Sequence, residues 1–143
     1  MLLAILLLGM AGTATDLLLL GHVEDTAQWI PLALILAGAG ALLWNATGGR
    51  RLSAVAVQIV MVLFMASGAL GVYFHFRANV EFQLEVNQTL AGTDLLWAVL
   101  RAKAPPALAP GTMVLLGLIG LAYAYRQPAM PPGDSLEENR DDA

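Results

Sequence analysis

Both histidines of the chain, and four of the six acids outside its C-terminal tail, fall in two short neighbourhoods: His22, Glu24 and Asp25, then His75, Glu81 and Glu85. Neutral imidazoles and carboxylates together suit a divalent transition metal when four such groups converge within about 2.0 to 2.2 Å of one point. No HxxxH or HExxH spacing supports such a site locally, so a metal centre requires the fold to bring the two neighbourhoods together. His22 and His75 at the ends of two helices are also a geometry for axial haem ligation, although so shallow a placement offers little apolar wall to a porphyrin. The plain alternative is a solvated surface on which Arg77 offsets Glu81 and Glu85.

A different chemistry attaches to Asp16. It stands inside an otherwise apolar stretch, about 8 to 9 Å from the end of a helix at 1.5 Å per residue. A carboxylate at that depth in hydrocarbon needs a partner or a proton. Arg77 and His75 are the expected partners, in an ion pair or hydrogen bond that either locks the fold or forms part of a path for protons or small solutes. Catalytic residues are not expected: no Ser/His/Asp array, phosphate loop or pair of intramembrane carboxylates is present, and Ser53, Ser67 and Ser135 have no base beside them. The Asn45 and Asn87 sequons are read as chance.

The elements that must position these groups are apolar helices. The chain is 58% hydrophobic and 13% charged over 143 residues, against about 25% charged in an average soluble domain. Its net charge of -4 comes from the segment after Arg126, which holds five acids and one base, while the first 126 residues carry six of each. No basic patch is available for nucleic acid. With no cysteine, disulfides and thiolate metal sites are excluded. Four stretches, about 2–21, 28–45, 53–74 and 108–125, approach the roughly 20 residues that cross a bilayer core. The fold class expected is therefore an all-α integral membrane protein, a four-transmembrane-helix bundle over 1–126, with residues 127–143 as a disordered acidic cytoplasmic tail.

Arg50, Arg51 and Arg126 place one end of the bundle in the cytoplasm by the positive-inside rule. Both termini are then cytoplasmic in a bacterial-type inner or plasma membrane, and His22, Glu24, Asp25 and the loop 75–107 face outward. Trp29 and Tyr73 suit an outer aromatic belt, and Trp44, Tyr123 and Tyr125 an inner one. Gly12-Thr13-Ala14 offers a secretory cleavage site, but the stretch before it has no basic n-region and the apolar run continues past it.

Gly9, Gly12, Thr13 and Asp16 share one narrow face of the first helix, and Gly38, Gly68 and Gly71 notch the second and third. Small residues let helices approach closely in lipid. They suit a homo-oligomer or a subunit of a larger membrane complex.

The outer loop holds one further pattern. From Phe74 to Val86 apolar and polar residues alternate, the period of a strand, and an extended segment is the leading expectation. The helical alternative rests on Arg77, Glu81 and Glu85 at i, i+4 and i+8, matched by His75, Asn79 and Gln83. Thr93 or Asp94 then caps a short interfacial helix reaching about Ala102. The functional expectation is a non-enzymatic subunit or scaffold, with outward metal or haem binding and transport through Asp16 as alternatives.

Overall fold

The computed structural model describes residues 1–21, 26–48, 51–102 and 108–126. These are helical almost throughout: α1 (Leu2–Leu19), a single 3-10 turn (Thr26–Gln28), α2 (Trp29–Gly48), α3 (Arg51–Val86), α4 (Gly92–Leu100) and α5 (Leu108–Tyr125). Among the described residues, four helices, α1, α2, α3 and α5, are long and apolar enough to cross a membrane. The acidic tail expected over 127–143 lies outside the described residues.

The bundle is a ring in which α3 packs on α2 and α5, and α1 packs on the same two. Each helix turns inward a row spaced three and four residues apart, the spacing that keeps one stripe facing a neighbour. In α1 the row is Leu6, Met10, Thr13 and Leu17, and in α3 it is Ser53, Val57, Met61, Phe64 and Gly68. The opposite faces are no less apolar. Leu8, Leu36, Ile59, Val62 and Leu115 are all exposed. A soluble helix would carry charge there, so burial alone does not drive this bundle together; close packing does.

Glycines provide that packing. A Cβ at Gly68 would stand 2.6 Å from the Pro110 carbonyl oxygen, and one at Gly117 would stand 2.7 Å from that of Met61. One at Gly71 would meet the Pro110 ring at 2.8 Å, and one at Gly120 would overlap the Met61 thioether. The contacts run 71 to 110, 68 to 114 and 61 to 120, so α3 and α5 are antiparallel and nearly touch along their backbones. Gly38 similarly admits Met10 and Phe64, and Gly9 admits a Leu116 methyl.

The segment expected to be extended is helix. α3 continues without a break through 72–86, so its 36 residues run about 54 Å at 1.5 Å per residue, well beyond the roughly 30 Å of a bilayer core. The third helix does not end near Phe74, and most of the expected loop is the last three turns of α3, a turn and α4. The alternation is compatible with a helix because four is a multiple of two. Alternate polar residues resolve into two i, i+4 rows about 200° apart at 100° per residue. His75, Asn79 and Gln83 form a half-buried row, and Arg77, Glu81 and Glu85 an exposed one. Half-buried Phe76, Val80 and Leu84 lie beside the first row.

α4 folds back on this extension. Val99 is fully buried, and the Gln83 amide donates to the Ala98 carbonyl oxygen at 3.5 Å. The turn between them comes from Asn87, whose side-chain oxygen accepts from the Thr89 backbone N–H at 3.0 Å and from the Thr89 hydroxyl at 2.7 Å. Such a side-chain turn competes with helix continuation, which is why α3 stops at Val86. The Asn87-Gln88-Thr89 sequon thus has a local conformational role. Gly92 opens α4 at φ 54° and Gly21 follows α1 at φ 65°, both in the left-handed region that glycine enters without steric cost.

Candidate functional site

The extension of α3 separates the residues proposed as metal ligands. His75 lies on the half-buried row, whereas Glu81 and Glu85 lie on the exposed one. Turning on opposite sides of one helix, they do not converge, and among the described residues no three histidine or acidic side chains form a group able to hold a metal ion. His22, Glu24 and Asp25 lie outside the described residues, and with them the histidine pair considered for haem.

Arg77 is not paired with Asp16. Its Nε donates to Glu81 Oε1 at 2.9 Å one turn along the same helix. That hydrogen bond, then the Glu81 charge, raises the guanidinium further above its ordinary value. Loss of the Arg77 proton is therefore confined to strong base and gives no pH dependence near neutrality. Both side chains are largely exposed, so the pair contributes little to stability.

Asp16 is instead exposed on the outer face of α1; its backbone carbonyl accepts from the Leu20 N–H at 2.9 Å, and no hydrogen bond or ion pair joins its carboxylate to another described residue. The edge of the bundle runs along the small-residue face of α1 and divides it. Gly9 is closed against Leu116, and Thr13 is buried, with its hydroxyl donating to the Gly9 carbonyl at 2.9 Å. Gly12 and Asp16 lie on the open side, where a Cβ at Gly12 would meet nothing within 4 Å. Ala11 and Thr15 are exposed beside them, and the Thr15 hydroxyl is satisfied by the Ala11 carbonyl at 2.8 Å. Gln58 is likewise exposed on α3.

At the end of the bundle where α1 finishes and α5 begins lies a cavity of about 610 Å³, within the usual range for a small-molecule site. All four long helices and the 3-10 turn contribute to it. Its wall is mainly apolar, with Leu17, Ile30, Phe74 and Met113 among the lining, and its polar side chains are Thr13, Gln28, Ser67 and His75. Among the described residues that line it, none is acidic and none is lysine or arginine. Gln28 and Ser67 were not among the sequence candidates for a site. A signal for Ser67 was present, since Ser67, Gly71, His75, Asn79 and Gln83 recur every four residues and so lie along one helical row.

The opposite end of the bundle has a separate polar contact. Asn45 and Ser53 are 3% and 0% exposed, and the Asn45 Nδ2 donates to Ser53 Oγ at 3.1 Å, joining α2 to α3. Asn45 Oδ1 has no hydrogen-bond partner among the described residues. Trp44 and Tyr125 at this end are exposed, as an aromatic belt requires, but Tyr123 turns into the core.

The described residues define an all-helical protein with four helices long and apolar enough to span a membrane and a mainly apolar cavity at one end of the bundle. No protein-family model matches the chain, and comparison with curated proteins and with solved structures finds no significant match.

Proposed function

We propose that the protein is a non-enzymatic component of an integral membrane assembly and that the outer face of α1 is its association surface. Four helices cross the bilayer, with Arg51 and Arg126 at the cytoplasmic end and the α3–α4 cap outside. The observation that carries the reading is Asp16, exposed on a face with Ala11, Gly12 and Thr15, its carboxylate joined to no described residue. An ionisable group costs on the order of 2.5 to 3.5 kcal/mol at the centre of a spanning helix and less toward its end, where Asp16 stands, and such groups turn toward protein rather than lipid. Small neighbours let a second helix approach closely enough to supply the missing hydrogen bond. A second copy of the chain is the simplest occupant, because a two-fold axis presents the same small-residue face from both sides and brings Asp16 near its counterpart. The transport alternative has less support, since Asp16 lies on the outside of the bundle and not along an internal path.

The oligomeric mass of gently solubilised protein tests this reading. A dimer that becomes a monomer in Asp16→Leu is expected, while Asp16→Asn, which keeps hydrogen-bonding capacity, retains the dimer. A wild-type monomer, or a dimer indifferent to Asp16→Leu, contradicts it.

A further inference from the structure

We infer that the cavity where α1 finishes and α5 begins is a slot for one acyl chain of a bilayer phospholipid, entered from the side between α2 and α3. The inference rests on the reading that four helices cross the membrane and is independent of how α1 associates. The walls of the cavity differ in burial. Thr13, Leu17, Pro110 and Met113, from α1 and α5, line it and are buried. Ile30, Leu70 and Phe74, from α2 and α3, line the same space and are 54%, 57% and 59% exposed. The first set forms a closed back and the second a mouth, whose side chains face both the cavity and the outer surface of the bundle. Toward the other end α2 and α3 are closed on each other, by the hydrogen bond from Asn45 to Ser53 and by Phe64 against Gly38.

Length and hydration select the occupant. From Ser67 to Ala78 the slot follows α3 for about 16 Å at 1.5 Å per residue, close to the roughly 15 Å of hydrocarbon in one leaflet of a 30 Å core. Side chains around an empty space forfeit their packing contacts, so the slot is filled. Water fills it poorly, since a buried water makes about three hydrogen bonds and Leu17, Ile30, Leu70, Phe74 and Met113 offer none. The Thr13 hydroxyl is given to the Gly9 carbonyl, and Gln28 and His75 hold interactions of their own. Hydrocarbon asks for no hydrogen bond, and in a bilayer the mouth opens onto it.

The test uses protein in nanodiscs of phosphatidylcholine that carries a diazirine midway along one acyl chain, with the residues labelled on illumination located by mass spectrometry. Leu17 and Met113 report the back of the slot, and exposed Leu115 reports ordinary lipid contact. Leu70→Trp and, separately, Ile30→Trp narrow the mouth from exposed positions, each checked for an unchanged unfolding midpoint. Labelling of Leu17 and Met113 that falls at least fivefold in a mouth variant, with Leu115 labelled as before, is expected. Labelling of Leu115 without Leu17 or Met113, or labelling of the back that is indifferent to both variants, overturns the slot and leaves the membrane reading standing. No labelling at any of the three contradicts the membrane reading itself, and the slot with it.

Discussion

Two faces of the molecule use the same small residues to opposite ends. Along the α3/α5 seam, Gly68, Gly71, Gly117 and Gly120 are each closed by the partner helix, two of them against backbone oxygen. On the outer face of α1, Gly12 stands in open space beside exposed Ala11, Thr15 and Asp16. The first face is spent within the chain. The second has the form of a packing surface without the helix that packs on it, and it carries a carboxylate that hydrocarbon does not tolerate alone. Closure of the glycine, more than its presence, separates a fold-forming seam from the open face proposed for association.

The largest expected effect lies in the closed seam. Gly68→Val drives methyl groups into the Pro110 carbonyl, which cannot swing aside as a side-chain tip can, and overpacking of this kind costs about 1 to 3 kcal/mol or more. The thermal unfolding midpoint in detergent should fall sharply. A midpoint unchanged by Gly68→Val would erase the distinction between the two faces. Gly12→Val supplies the contrasting half: the unfolding free energy of the monomer stays within about 0.5 kcal/mol of wild type, as for a surface change, while self-association measured by energy transfer between labelled copies is lost. Unchanged association would show that the open face is left open in the assembly too.

A smaller effect is expected at the other end of the bundle. Ser53→Ala removes the acceptor of the Asn45 amide, and interhelical hydrogen bonds in membranes average about 0.6 kcal/mol, so a loss of that order in unfolding free energy should follow. The smallest belongs to the cap, where Glu81→Gln breaks the exposed pair with Arg77 and should leave the unfolding midpoint unmoved at any ionic strength. A clear shift there would mean that the exposed row of α3 is covered.

The four apolar stretches were legible because hydrophobic length is a property of composition, and the last of them coincides with α5. The end of α3 was not. Alternation reads as a strand when each polar residue is judged against its immediate neighbours, and becomes two helical rows only when positions four apart are compared. Arg77 and Glu81 held that information, and in the structure they are joined. Asp16 was recognisable as anomalous, but its direction was not, since which side of α1 turns inward depends on Leu116 and Met10 meeting their partners across the bundle. The glycines of α5, Gly117 and Gly120, escaped notice although their spacing matches that of Gly68 and Gly71 in the third helix. The cavity was beyond sequence reasoning, because Thr13, Gln28, Ser67 and His75 come from two separate helices and a turn.

The central claim is that α1 meets a second copy through its outer face, and disulfide trapping in membranes tests it most directly. The chain has no cysteine, so Thr15→Cys introduces a single thiol beside Asp16, and Val62→Cys places one on the exposed face of α3. Mild oxidation should link Thr15→Cys protein into a dimer, and adding Asp16→Leu should abolish the link, while Val62→Cys stays monomeric. A Thr15→Cys protein that remains monomeric, or that crosslinks no better than Val62→Cys, would contradict the account.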